Sequence, residues 1–407
     1  MKESAIHLVL GAGLAGTSAA LAMRESGFEG RILLIGEEKE LPYDRPPLSK
    51  AVLSAAEPKL PYLHPESLYA ERGIEVMRGC RAEEIDLKAH RLRLSDGQSL
   101  SYDRLLVATG GRARLLPVPG GESAFTLRSL GEALALRSLL RETSRLAIVG
   151  AGVIGLEVAS SARALGRNVI VVEALPGALS RSFSPQVARF TEGLHRRHGV
   201  DLRFGVAVEA IEKLGRGYRI LCGAGEAVEA DLVLAGVGMK PAVELAEAAG
   251  IAADQGILCD EFGRTSAADV FAAGDVASFW SPRDGRRQRL EHWRHALQHG
   301  AAVGRAMCGH LTPYDEIPWF WTDQHGVNFQ TGGTPLLAER TVLRGSIESG
   351  RFTAFHLKGG RLIGATTVND GGAMRPSLAL IAAARPVEAE ALADGKRSLR
   401  EILREAG

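Results

Sequence analysis

Cysteine, excess charge and long apolar runs are all scarce in this chain. The four cysteines, Cys80, Cys222, Cys259 and Cys308, are scattered, and no C-x-x-C or metal-ligand spacing occurs among them. They read as reduced thiols of the core or surface, with no metal site. Forty-nine Lys and Arg face 48 Asp and Glu, a formal net charge of +1. That balance argues against a nucleic-acid binder working by bulk charge. No uninterrupted apolar run approaches the ~18 residues needed to span a bilayer. The opening MKESAIHLVL runs into a glycine turn without a signal-peptide cleavage pattern. The expectation is a cytoplasmic protein that binds neither membrane nor nucleic acid.

Glycine, by contrast, is abundant: 48 of 407 residues, well above the usual ~7 %. The hydrophobic fraction of 45 % and charged fraction of 24 % are those of a globular protein, and the length suggests two or three domains. The glycines cluster in two similar segments, IHLVLGAGLAG at 6–16 and LAIVGAGVIG at 146–155. Each is a short apolar run entering G-x-G-x-x-G, followed by an alanine-rich helical stretch and a second apolar run ending in glutamate. The first helix is predicted to run to about Ser26 and its strand to end at Glu37. The second helix is predicted to run to about Leu165, with its strand ending at Glu173. The segments lie 139 residues apart, too far for a solenoid repeat and consistent with two dinucleotide-binding domains.

The residue types fit that chemistry. Gly11 supplies the backbone conformation of the turn, and Gly13 lets a pyrophosphate approach the helix N-terminus, which Leu14 and Ala15 open. Gly16 allows helix and strand to pack closely. Glu37, 21 residues past Gly16, can accept bonds from a ribose diol. Gly150, Gly152 and Gly155, with Val153 and Ile154 opening the helix, repeat the pattern, and Glu173 follows eighteen residues later. A carboxylate there bonds a 2′-hydroxyl and repels a 2′-phosphate, which favours NADH over NADPH. Arg181 is the nearest arginine, and Gly238, ending the apolar run Asp231–Gly238, joins the nucleotide contacts. Beyond Trp319, RTVLRGSIE, GRFTAFHLKG and GRLIGATTVN read as three strands, followed by a helix from Pro376 to Ala384 and another closing the chain.

Other strings occur in a telling order: YDRPPLSK at 43–50, ATG at 108–110, GAGVIGLE at 150–157, GRT at 263–265, AAGDV at 272–276, EHW at 291–293 and PWFWTDQ at 318–324. With them the chain resembles, over nearly its whole length, the FAD-dependent ferredoxin reductases of bacterial aromatic-ring dioxygenases and related oxygenases. The rubredoxin reductases and apoptosis-inducing factor are their relatives. The resemblance implies an α/β fold with two Rossmann-like domains, of the glutathione-reductase-like two-dinucleotide flavoproteins, plus a C-terminal α+β domain. The expected boundaries are 1–110 and 235–318 for FAD, 111–234 for NADH and 319–407 for the C-terminal domain.

Roles carried over by the resemblance are expectations. Arg45 and Lys50 become flavin contacts, with Lys50 near the isoalloxazine and paired to Glu157, where an ammonium would stabilise charge accumulating on reduction. Thr109, Gly110 and Arg128 become FAD contacts, Ala82 a backbone contact to adenine, and Gly274 and Asp275 contacts to the ribityl chain. Trp293 would touch the flavin edge and Trp319 its face. Lys50, Glu157 and Trp319 thus form the expected catalytic group. The implied reaction passes electrons from NADH through FAD singly to an acidic 2Fe–2S ferredoxin in aromatic-hydrocarbon catabolism, by a monomer or homodimer. A reductase of rubredoxin, or of a ferredoxin for a haem mono-oxygenase, shares the chemistry, and an NADH-sensing partner-binding protein is the non-enzymatic rival. A disulfide reductase would need active cysteines near residue 45, where the chain has Tyr43-Asp44-Arg45-Pro46.

Two clusters carry weaker signals. His292, His295 and His299 recur at helical spacing and read as helix-surface histidines rather than metal ligands. Arg283, Arg286, Arg287, Arg289 and Arg294 crowd one segment opposite only Asp284 and Glu291. They are expected to steer an acidic partner.

Overall fold

Ile6–Leu10 forms a strand because its aliphatic residues suit a sheet covered on both faces, and four of its five side chains are buried. The computed structural model containing it describes residues 5–405. After the strand the chain turns at Gly11, whose φ of +117° suits a residue without Cβ, and enters the helix Leu14–Glu25. It returns as the strand Arg31–Ile35, parallel to the first with His7 opposite Ile32. Parallel neighbours require such a crossover. The full sheet runs in the order 270–272, 104–107, 6–10, 31–35, 74–77, all parallel. A second helix, Trp293–Ala306, lies along Leu14–Glu25 at backbone contact. A Cβ on Gly300 would stand 2.2 Å from the Ala15 carbonyl oxygen, and one on Gly304 2.4 Å from that of Ala19.

These elements belong to one of two compact units, built from the residues up to Arg45, Leu60–Arg112 and Met239–Glu316. The other unit holds Pro46–Lys59, Ala113–Gly238 and the chain from Ile317 onward. It repeats the same local plan. Strand Arg145–Val149 enters Gly150 at φ +106°, helix Val153–Ala164 follows, and strand Asn168–Glu173 returns in parallel. Its sheet runs 200–204, 168–173, 145–149, 232–235. Each unit also carries a three-stranded antiparallel meander, 82–101 in the first and 208–230 in the second.

The C-terminal segment is a five-stranded antiparallel sheet in the order 319–324, 327–333, 361–368, 351–358, 340–346. The aromatic string 318–324 is therefore itself an edge strand, making two strands more than the three read from sequence. Helices Met374–Ala383 and Leu399–Glu405 cover the sheet through Leu380, Ile381 and Ile402 against Phe355 and Leu357.

One segment departs from the expected partition. Residues 46–59 lie with the second unit, where Leu53 shares an apolar cluster with Leu136, Leu140 and Leu156. The buried guanidinium of Arg137 ties that segment down, donating to the carbonyls of Val52, Leu53, Ala55 and Ala56 at 2.7–3.2 Å.

Candidate active site

The two glycine turns are cradles of the same construction. At Gly11 an added Cβ would meet the Ala108 carbonyl oxygen at 2.2 Å, and at Gly16 the Gly11 carbonyl oxygen at 2.0 Å. The turn is therefore closed on its inner side. At Gly13 an added Cβ meets nothing within 4 Å, so the space before the helix is open. Gly13 is the N-cap and has no side chain to satisfy the first-turn N–H groups. Gly150, Gly152 and Gly155 repeat this: Cβ contacts of 2.5 Å to the Gly236 oxygen, 3.9 Å, and 2.2 Å to the Gly150 oxygen. An open, uncapped helix N-terminus behind a closed glycine turn fits a pyrophosphate, and this chain has two.

The acids that follow the cradles differ. Glu173 is drawn into its own turn, accepting the Ala151 N–H through Oε2 and the Leu175 N–H through Oε1, each at 2.8 Å. Glu37 is largely exposed, with Arg81 and Arg112 at 3.9 and 4.0 Å. Its neighbour Glu38 is the better anchored. The Tyr43 hydroxyl donates to Glu38 Oε2 at 2.5 Å, and Arg45 pairs with Oε1 at 3.0 Å. Nothing in the sequence reading singled out Glu38.

In the second unit the chain brings two expected residues together. Lys50 Nζ lies 2.8 Å from Glu157 Oε1; the carboxylate side chain is 2 % exposed and the lysine 22 %. Glu157 also accepts the Ser49 hydroxyl on Oε2 and the Thr322 hydroxyl on Oε1, the latter at 2.6 Å. Ser161, one turn along the same helix, donates to the Ser49 carbonyl at 2.7 Å. Four donors and a buried carboxylate thus fix the stretch that presents the lysine. Ser49 and Thr322 both stand inside the quoted motif strings, but their part in the arrangement was not read from them.

The remaining positions are distributed as follows. Thr109 donates to the Ala242 carbonyl at 2.9 Å, and Gly110 and Gly274 both take positive φ. Asp275 lies in the short 3-10 turn Gly274–Val276 after the strand Val270–Ala272, and Trp293 Nε1 donates to Asp44 at 2.6 Å. Ala82 begins a strand of the first meander. In the second unit the Arg128 N–H meets Glu132 within the capping box of helix Leu130–Glu142. Ile154 is 43 % exposed at the mouth of its cradle, Arg181 is exposed, and Gly238 takes φ +97°. Trp319 stacks on Trp321 with ring centroids 5.5 Å apart.

One expectation is corrected. His295 and His299 are not on a helix surface: both are enclosed, at 3 % and 0 % exposure. Burial pushes His295 down to about 3 and His292 to about 4, and His299 well below the usual imidazole range. His295 Nδ1 bonds the Tyr314 hydroxyl at 2.9 Å, and His299 Nδ1 accepts the Gly274 N–H at 3.3 Å. Among the described residues no group of three or more His, Cys, Asp or Glu is placed to hold a metal ion. The arginine segment is also less free than its composition suggested. Arg283 pairs with Asp315, Arg289 with Glu291 and Arg294 with Glu316. Arg287 donates to the carbonyls of Cys259 and Ser278. Two of the partner carboxylates, Asp315 and Glu316, lie outside the arginine segment.

Two parallel α/β sheets, each with a glycine cradle for a dinucleotide, and a separate antiparallel C-terminal sheet define a two-dinucleotide oxidoreductase. Comparison with known proteins gives the family. Residues 6–300 match the pyridine nucleotide-disulphide oxidoreductase family and residues 319–403 the reductase C-terminal domain, and the chain belongs to this family. Rhodocoxin reductase of Rhodococcus erythropolis is 37 % identical over 391 residues, 95 % of this chain and 92 % of that protein. The ferredoxin–NAD(+) reductase component of the biphenyl dioxygenase system of Paraburkholderia xenovorans is 37 % identical over 399 residues, 97 % and 98 % of the two chains. Among solved structures, the reductase in the covalent putidaredoxin reductase–putidaredoxin complex matches with a TM-score of 0.94 at 36 % identity, covering 100 % of this chain and 99 % of that one. No helix among the described residues is long and apolar enough to cross a membrane.

Proposed function

We propose that this chain is an NADH-dependent, FAD-containing ferredoxin reductase serving an oxygenase. The observation that carries the reading is the pair of open, uncapped cradles at Gly13 and Gly152. One chain with two dinucleotide sites suits electron transfer between two dinucleotides. FAD and NADH are its cofactors, and the electron acceptor is a ferredoxin. The finer features, proposed on the resemblance, are a 2Fe–2S acceptor of acidic surface, a cytoplasmic location and a monomer or homodimer.

On the resemblance, FAD would be held by Gly11, Gly13, Leu14, Ala15, Gly16, Glu37, Arg45, Ala82, Thr109, Gly110, Arg128, Gly274, Asp275 and Trp293, and Lys50 and Trp319 would serve its ring. NADH would be held by Gly150, Gly152, Val153, Ile154, Gly155, Glu157, Glu173, Arg181 and Gly238. FAD supplies the change from a two-electron donor to one-electron delivery, so each NADH yields NAD+, one proton and two reduced ferredoxins. The protein's share is orientation and electrostatics. Glu173 would receive the ribose diol of NADH and repel a 2′-phosphate. Glu157 holds the Lys50 ammonium in place, where its positive charge would favour the reduced flavin, and Trp319 would supply an aromatic face to the ring.

The test is NADH oxidation by the purified flavoprotein against a panel of ferredoxins and rubredoxins. A ferredoxin should be reduced at least about tenfold faster than any rubredoxin, a difference of roughly 1.4 kcal/mol in activation. A rubredoxin as the best acceptor would refute the assignment of partner, and a protein that takes up no flavin would refute the whole reading.

A further inference from the structure

The Lys50–Glu157 pair is the inner end of a longer chain of polar side chains. Glu157 Oε1 meets Thr322 Oγ1 at 2.6 Å, and Thr322 Oγ1 meets Gln324 Nε2 at 3.1 Å. Gln324 Oε1 meets His195 Nε2 at 2.8 Å, and His195 Nδ1 meets His325 Nε2 at 3.1 Å. Thr322, Gln324 and His195 are all 0 % exposed. A run of enclosed polar groups in an apolar surrounding is costly unless every member is satisfied, and these are.

The protonation pattern follows from the inner end. Glu157, paired to an ammonium, only accepts, so Thr322 must donate to it. Thr322 Oγ1 then accepts from the Gln324 amide, which turns the Gln324 carbonyl to His195. His195 must carry its proton on Nε2, leaving Nδ1 to accept from His325 Nε2–H. Every donor therefore points toward the carboxylate. Burial pushes His195 down to about 4 and His325 to about 3, so both rings stay neutral at physiological pH.

The outer end is held at a backbone cost. His325 and Gly326 form the two-residue turn between strands Trp319–Gln324 and Val327–Gly333, with φ of +51° and +76°. Asparagine or glycine relaxes the first position of such a turn. The imidazole there stacks on His198 with centroids 4.1 Å apart, and its backbone N–H donates to Ser160 Oγ at 2.7 Å. Ser160 is three residues after Glu157 on the same helix, so the turn is fastened to the helix that bears the carboxylate.

The geometry points to Thr322, Gln324, His195 and His325 as positioning residues that hold the Glu157 carboxylate, and through it the Lys50 ammonium, in one orientation. The inference rests on the reading that this pair serves the flavin. It adds that the setting of the pair is determined by the C-terminal sheet through a one-directional line of donors. No proton needs to travel along the line, because the Gln324 amide is a poor relay; its work is orientation.

Four variants of the full-length flavoprotein test this: Glu157→Gln, Gln324→Leu, Thr322→Val and Thr322→Ser, with the double variant Glu157→Gln/Gln324→Leu. In Glu157→Gln the flavin midpoint potential should rise, because the Lys50 charge is no longer balanced, and hydride transfer at saturating NADH should slow. Gln324→Leu and Thr322→Val should move the potential the same way by less and slow hydride transfer about fivefold to tenfold, with the NADH dissociation constant unchanged. Thr322→Ser, which keeps the hydroxyl, should recover the rate lost in Thr322→Val. Gln324→Leu should add nothing in the Glu157→Gln background, as expected when one residue acts through another. In the flavin-free protein, 15N spectra should show His195 protonated on Nε2 in the parent and a mixture of tautomers in Gln324→Leu. A Glu157→Gln protein with parental potential and rate would refute the flavin reading and the inference together. Glu157→Gln altered but Gln324→Leu parental, or additive effects in the double variant, would overturn the inference alone.

Discussion

The clamp on the segment carrying Lys50 leads to a quantitative prediction. Arg137 is 8 % exposed and donates to four carbonyls, those of Val52, Leu53, Ala55 and Ala56. Replacing it with methionine keeps the aliphatic stem and removes every donor. The carbonyls of Ala55 and Ala56 lie nearer solvent and can rehydrate, whereas Val52 and Leu53 are buried. At about 1–3 kcal/mol for each deserted buried acceptor, Arg137→Met should cost about 3 kcal/mol. In a unit of this size that corresponds to a fall in Tm of roughly 6–12 °C. Arg137→Lys should fall between the two, since a single ammonium cannot reach four carbonyls in a fork. Thermal unfolding of the flavin-free protein measures the loss, and hydrogen exchange at residues 51–56 locates it. A Tm within about 1 °C of the parent, with unchanged exchange there, would show that the bonds contribute nothing and refute the reasoning.

Gly13→Val places a side chain into open space at an ordinary φ, so the flavin-free fold should keep its Tm while flavin content drops to near zero. Gly11→Ala should fail to fold, because its Cβ meets the Ala108 carbonyl oxygen at 2.2 Å; equal Tm values for the two would contradict the cradle description. Glu173→Ala should lower the ratio of NADH to NADPH efficiency by roughly 10–100-fold, the worth of one or two charge-assisted bonds, and an unchanged ratio in steady-state kinetics would remove Glu173 from the ribose site. Burial lowers His295 to about 3 and His7, His195, His292 and His356 to about 4 in the folded chain, against about 6.5 unfolded. Below that pH the unfolded chain takes up protons the folded one refuses, so stability is complete above pH 6.5 and is lost as pH falls, by about 1.4 kcal/mol per pH unit for each such histidine. Urea midpoints that do not change between pH 7 and pH 5 would rule this out.

Both βαβ halves were legible in the sequence because their signals are local: an apolar run, three glycines at fixed spacing and a terminal glutamate. The site was less so. Lys50 and Glu157 are 107 positions apart, and only resemblance joined them beforehand. His295 and His299 read as surface residues because helix Trp293–Ala306 hides glycines, histidines and Val303 rather than a stripe of large aliphatics, and hydropathy does not register a face buried by close approach. His195 was missed although it follows Val187, Thr191 and Leu194 on the buried side of helix Pro185–Arg197, since the run His195-Arg196-Arg197-His198 looks like a solvated end. The arginines at 283–294 read as opposed only by Asp284 and Glu291 because the carboxylates at 315 and 316 arrive from a later part of the chain.

The contact of Gly300 and Gly304 with the carbonyls of Ala15 and Ala19 has a practical consequence for anyone dissecting the molecule. The wall supporting the first cradle is made from chain synthesised near position 300, so an excised N-terminal piece would expose the alanine face of helix Leu14–Glu25 to water. Any minimal nucleotide-binding fragment must be spliced from distant stretches rather than cut as one, and the nascent chain cannot finish its first cradle until three-quarters of it has been made.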